Sequence, residues 1–152
     1  MSAPVLAVTK EGIANIIPHA GEMCLLDGVL LWDAGSIRCM TASHRDPLNP
    51  LRVNGRLCAI SGIEYAAQAM AAHGALVGNT GNVSRKGYLA SVRDVVCHGQ
   101  YLDQYDVDLT IDAKKVFGEG DRVLYEFTVR AGGMLLLEGR AAVILNVTDT
   151  AS

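Results

Sequence analysis

Several things are missing from this chain of 152 residues, and each absence narrows what it can be. There is no excess of positive charge: 13 lysines and arginines stand against 16 aspartates and glutamates. The net charge of −3 and pI near 5.7 argue against nucleic acid as the main partner. No apolar run reaches bilayer-spanning length, and residues 1–10 lack the basic start and long apolar stretch of a secretory signal. A cytoplasmic protein with no membrane insertion is therefore expected. Cys24, Cys39, Cys58 and Cys97 are scattered with no C-x-x-C pair, and neither they nor the four histidines show ligand spacing. Reduced core thiols, no disulfide and no metal are the expectation. There is no internal repeat, no low-complexity segment and no second long helix.

What is abundant is apolar surface. Half of the residues are hydrophobic and the mean hydropathy is +0.24, high for a monomer of this size. The length fits one domain, 1–152, with a core of its own. The surplus reads as a subunit interface, so a homodimer or higher homo-oligomer is expected.

Residues 11–17 suit a short helix stopped by Pro18, and 24–32 a buried strand. Residues 36–43 suit a second strand, with Ile37, Cys39 and Thr41 sharing a face. Residues 46–56, with Pro47, Pro50 and Asn54-Gly55, read as loop. Residues 59–78 form the one long helix, apolar nearly all round. A turn-rich stretch follows to Lys86, then strands over 87–96, 106–116, 122–130 and 135–147. Val107, Leu109, Ile111 and Ala113 alternate with polar neighbours, as do Val123, Tyr125, Phe127 and Val129. The short GEGD and AGG links make neighbouring strands antiparallel. A helix apolar on all sides, with no second helix to cover it, calls for a curved antiparallel sheet wrapped around it. Long edge strands then call for a second subunit. This is an α+β hotdog fold.

The sequence IPHAGEMCLLDGVLLWD (17–33) resembles the opening of hotdog 3-hydroxyacyl-[acyl-carrier-protein] dehydratases, near L-P-H-R-x-P-x-L-L-x-D-R-V. Pro18, His19, Leu25, Leu26, Asp27 and Val29 match, and Gly28 stands where that pattern has Arg. GIEYAAQAMAAHGAL (62–76) resembles their central helix, with Glu64 and Gln68 at its acid and amide. KGYLASVRDV (86–95) resembles a G-x-L-x-x-x-R strand, matched by Gly87, Leu89 and Arg93. The resemblance covers essentially the whole chain and is strongest to the dehydratase-like subgroup associated with aryl-polyene biosynthesis. It implies dehydration of a 3-hydroxyacyl thioester in fatty-acid or polyene-type biosynthesis. The partner it implies is an acyl carrier protein or acyl thioester. No cofactor beyond the carrier's phosphopantetheine is implied. One departure stands out. These enzymes place a catalytic His in a G-H-F-P loop before the helix, and PLNPLRVNGRLCA (47–59) has none.

Such an elimination needs a base for the α-proton and an acid for the leaving hydroxyl. Glu64 is the candidate acid and His19 a candidate base. The N–H groups near Ala59 to Gly62, with Ser61 among them, suit the thioester oxygen, and Gly62 would admit a substrate close to the backbone. Gln68 suits a supporting role beside Glu64, one turn away. Arg93, with Arg52, Arg56, Arg85 and Lys86, suits a basic rim for an acidic carrier or a phosphate. Each has a plainer reading. Ser61 and Glu64 have capping-box spacing; His19 suits a backbone carbonyl; the arginines suit solvated surface. His44 is a weaker catalytic candidate; His73 and His98 read as structural or surface groups. Two other functions stay open: a hotdog acyl-thioesterase using Glu64 to activate water, and a noncatalytic partner of an active dehydratase.

Overall fold

The computed structural model describes residues 5–17, 23–78 and 84–148, with side chains described except at 84–88 and 145–148. His19 and Pro18 lie outside the described residues. A two-residue strand β1 (Val8–Thr9) leads into helix α1 (Lys10–Ile16), where the Thr9 hydroxyl caps the Gly12 N–H at 3.2 Å. Strands β2 (Gly28–Trp32) and β3 (Ser36–Thr41) form a hairpin, and helix α2 (Gly62–Gly78) follows. Strands β4 (Ser84–Cys97), β5 (Leu109–Glu119), β6 (Arg122–Ala131) and β7 (Met134–Thr148) complete the chain.

All seven strands join one antiparallel sheet in the order β1-β2-β3-β5-β6-β7-β4. The α2 segment therefore carries the chain from the β3 side of the sheet to its far edge at β4. Gly120 (φ +62°) and Gly132 (φ +59°) supply the left-handed backbone that the β5–β6 and β6–β7 turns need. The inner face is the expected one. Ile37, Cys39 and Thr41 of β3, Leu109, Ile111 and Ala113 of β5, and Val123, Tyr125, Phe127 and Val129 of β6 are all buried. Against them lie Tyr65, Ala66, Ala69, Met70 and Ala72 of α2. The alanines let the sheet come close; burying larger side chains such as Met70 contributes about 1.5–3 kcal/mol each. This is the hotdog arrangement that the helix required.

The outer face is charged. The register sets Arg38 opposite Asp112, Lys114 opposite Glu126, and Glu126 opposite Arg140. Arg38 and Asp112 pair at 2.7 Å, and Arg140 and Glu126 at 3.4 Å.

Several boundaries differ from expectation. Residues 24–27 are not strand. Leu25 bonds to side chains instead: its N–H donates to Gln68 Oε1 and its O accepts from the Thr41 and Ser43 hydroxyls, while Asp27 N–H donates to Met40 O. β4 begins at Ser84, inside the stretch read as turns. β5 begins at Leu109, and Val107 is exposed. β1 is too short to leave a periodic signal. Cys24 and Cys39 are buried free thiols, but Cys58 and Cys97 are exposed free thiols rather than core residues.

His73 is buried on the helix face turned to β6. Its Nε2 donates to Asp33 O at 2.9 Å, which leaves Nδ1 to accept from Tyr125 OH at 2.7 Å. Burial lowers its pKa from 6.5. His44 is also buried; its Nε2 donates to Tyr105 O at 3.0 Å, its Nδ1 makes no hydrogen bond among the described residues, and burial lowers its pKa too. A lowered pKa means the unfolded chain binds these protons first. Stability is thus full above 6.5 and falls as the pH drops through that value toward the folded pKa. Each histidine contributes a slope of up to about 1.4 kcal/mol per pH unit. Denaturant melts between about pH 7 and 5.5 should show this loss in wild type and a shallower one in His73→Gln. Equal slopes would rule out His73 as a source.

Candidate functional site

The segment before α2 turns the chain from extended loop into helix. Cys58 has extended geometry (φ −67°, ψ 149°), and a 3-10 turn over Ala59–Ser61 runs straight into α2. Ser61 is thus already helical. Its N–H donates to Cys58 O at 3.0 Å, so it neither caps the helix nor offers that N–H to Glu64. The capping-box reading, which needs Ser61 outside the helix, does not hold. The same turn uses other donors: Ala59 N–H goes to Gln100 O, and Gly62 N–H to Ala59 O and Ile60 O. Within this chain those three N–H groups are not open to a thioester oxygen, contrary to expectation.

Gly62 is buried, and a Cβ built there would stand 2.6 Å from Leu137 Cδ2 and 3.4 Å from Val129 Cγ2. Its missing side chain lets Leu137 and Val129 of the sheet pack against the helix. Glu64 sits in the first turn of α2, half-buried.

Gln68 is buried and holds neither solvent nor Glu64. Its Oε1 accepts from Leu25 N–H at 2.8 Å, and its Nε2 donates to Met23 O at 2.6 Å. The amide therefore pins residues 23–25 to the helix face one turn beyond Glu64. Tyr65, next to Glu64, faces a second polar cluster that the sequence did not reveal. Its hydroxyl meets Ser43 Oγ and Asn49 Nδ2, each at 2.9 Å, and burial raises its pKa. Asn49 Nδ2 also donates to Ser43 O, tying loop 46–52 to the strand end. Nothing in the spacing of Thr41, Ser43, Asn49 and Tyr65 marks them as one group.

The expected basic rim is largely committed. Arg52 donates to Asp46 O, Gly55 O and His44 O, so it holds the loop together. Arg56 pairs with Asp103 at 2.8 Å and lies over the Tyr101 ring at 3.8 Å. Burial pushes the Asp103 carboxyl up, but the bonds from Arg56 and Leu57 N–H outweigh it and leave its pKa lowered. The side chains of Arg85 and Lys86 are outside the described residues. Arg93 is exposed on the outer face, opposite Arg140, with the sheet between it and α2. It is not brought together with Glu64.

His98 pairs with Glu138 at 2.7 Å on the surface. Among the described residues no group of three His, Cys, Asp or Glu could hold a metal ion, and no helix is long and apolar enough to cross a membrane. The loop before α2 exposes Leu48 (82%), Val53 (67%) and Ile60 (51%). Edge strand β4 exposes Leu89 and Val96. Apolar side chains are thus exposed both in the segment before α2 and on the edge strand β4.

A family model described as ApeP dehydratase, ApeP-like, matches residues 11–151. No curated protein matches the sequence. Among solved structures, the dehydratase heterocomplex ApeI:P from Xenorhabdus doucetiae superposes with a TM-score of 0.74 at 22% identity, covering 91% of each chain. A thioesterase from Haemophilus influenzae gives 0.66 at 10% identity, covering 96% of each. A putative thioesterase from Silicibacter sp. TM1040 gives 0.63 at 12%, covering 94% of this chain and 95% of the other. At such identities these likenesses establish the hotdog fold.

Replacing Gln68 with Leu keeps its bulk and removes both bonds to residues 23–25. The Leu25 N–H would lose its acceptor, at a cost of about 1–3 kcal/mol. Hydrogen exchange at the Leu25 amide should therefore speed up by roughly ten- to a hundredfold in Gln68→Leu. Unchanged protection would show that the amide does not hold this segment.

Proposed function

The chain belongs to the ApeP-like dehydratase family, and on that premise we propose that it serves in eliminating water from a 3-hydroxyacyl thioester borne by an acyl carrier protein in polyene-type biosynthesis. The observation that carries this reading is the family match over residues 11–151. Glu64 is the proposed acid for the leaving hydroxyl. It is the one carboxylate on α2, in the first turn, where the positive end of the helix dipole lies.

The base is the open part of the mechanism. The loop before α2 carries no histidine. His44 and His73 are buried on backbone carbonyls, and His98 is paired with Glu138. In this chain that leaves His19 as the candidate. It lies four residues before Met23, whose carbonyl Gln68 holds one turn along from Glu64. The alternative source is a partner subunit. The exposed apolar residues of the pre-helix loop and of β4 support assembly with a second hotdog chain that would close the site. The heteromeric state of the Xenorhabdus doucetiae structure supports a non-identical partner over the homodimer. A thioesterase reading, with Glu64 activating water, is supported only by neighbours near 10% identity and is the weaker one.

The test is Glu64→Gln in the assembled protein, with a 3-hydroxyacyl carrier-protein thioester as substrate. The change keeps the size of the side chain and removes its ionisation. Turnover should fall by at least about a hundredfold with little change in thermal stability. Full turnover in Glu64→Gln would show that this carboxyl is not the acid, and free thiol in place of enoyl product would favour the thioesterase.

A further inference from the structure

Among the described residues, several charges on the outer face of the sheet meet opposite charges across the strands. Arg38 faces Asp112, and Lys114 and Arg140 flank Glu126. Where β4 meets β7, Arg93 stands directly opposite Arg140. Like charges opposed across an antiparallel pair destabilise it. Arg122, also exposed on β6, lies on the same side, with Glu119 opposite it across the β5–β6 turn but not in an ion pair with it. Arg140 shares Glu126, but Arg93 and Arg122 make no ion pair among the described residues. These groups line one cleft of about 160 Å³, with Leu124 and Ala142 as its floor and Val116, 55% exposed, at its wall. A register shift between Lys115 and Phe117 in β5 opens the sheet beside it. Asp94 and Glu138 belong to the adjoining cleft, which shares Glu126 and Arg140. Three arginines and one glutamate thus line a small hollow together with apolar side chains, in a chain whose net charge is negative.

We propose that this cleft is a binding site for an organic phosphate, a phosphomonoester with a short alkyl group, separate from Glu64 and on the opposite side of the sheet. Guanidinium forks match phosphate oxygens with paired N–H donors, and a dianion between Arg93, Arg122 and Arg140 relieves their repulsion. The alkyl group lies over Leu124 and Val116. The volume is well below that of a pocket for a drug-sized molecule, so the phosphate and the first few carbons are what it takes.

The probe is hexyl phosphate, titrated into the purified protein at fixed ionic strength. Methyl NMR signals of Leu124 and Val116 report binding, with inorganic phosphate and hexanoate as comparison ligands. Hexyl phosphate should bind saturably and more tightly than either. Arg93→Gln and Arg122→Gln should each weaken it by about tenfold, since each removes a charge-assisted contact. Arg38→Gln, outside the cleft, should bind as wild type does. Glu64→Gln should also bind normally, so this result stands apart from the test of the acid. No saturable shift, or full affinity in the Arg93→Gln/Arg122→Gln double variant, would overturn the site. Inorganic phosphate binding as tightly as hexyl phosphate would overturn the organic part of the assignment.

Discussion

A helix that is apolar on nearly every side is the constraint on which the rest of this structure depends. From Gly62 to His73 most of α2 is buried, and among the described residues there is no other long helix to cover it. Only a sheet that curves around the helix can do so. The few polar groups on α2 are each answered where they meet the cover: Tyr65 by Ser43 and Asn49, Gln68 by Met23 and Leu25, His73 by Asp33 and Tyr125. An unanswered amide or imidazole there would cost on the order of 1–3 kcal/mol. These bonds also fix how the helix is rotated in its sheath. Gln68 settles the face on which Glu64 stands, because residues 64 and 68 lie on one face a turn apart, and Tyr65 fixes the face about 100° round from it.

The order of elements was legible because it rests on periodicity. Clean alternation in Ile37–Thr41 and Val123–Val129 reports a half-buried strand wherever the sheet has one wet face, and this sheet does. The errors fall where another kind of bond replaces the ladder. Residues 24–27 have the composition of a strand, yet side chains of Gln68, Thr41 and Ser43 take the backbone groups of Leu25 in their middle. Ser61 and Glu64 have the spacing of a capping box, but a 3-10 turn places Ser61 inside the helix. Neither event leaves a local mark, since both depend on residues distant in sequence or on the backbone's own path.

Arg93 shows the same limit at the level of the site. Its strand departs from simple alternation twice, with register shifts between Leu89 and Ser91 and between Arg93 and Val96. At the second, Asp94 takes a positive φ of 56°. Each extra residue moves the following side chains to the other face, so parity counted along the sequence fails. A matching arginine in a sequence pattern therefore carried no information on which side of the sheet it stands. The cross-strand register does, and it sets Arg93 with Arg140 on the outer face, away from α2.

The arginines and histidines near the pre-helix loop are spent on architecture, and this bears on the chemistry. Arg52 closes the loop through three carbonyls, and Arg56 and Leu57 share the Asp103 carboxylate. His44 hydrogen-bonds the Tyr105 carbonyl, and burial favours its neutral form. Such groups position a site but are poor proton acceptors for a substrate they do not face. A loop held this firmly still presents Leu48, Val53 and Ile60 to solvent, an arrangement that costs hydration and gains nothing within one chain. On the proposed assembly, a second chain covering them would recover that cost. On the reading proposed for Glu64, that covering surface stands beside the helix N-terminus, where the reaction needs a base that the loop does not contain. If the base comes from that partner rather than from His19, closing the apolar rim and completing the acid–base pair are one event, since the approach that excludes water also brings the missing group to the carboxyl.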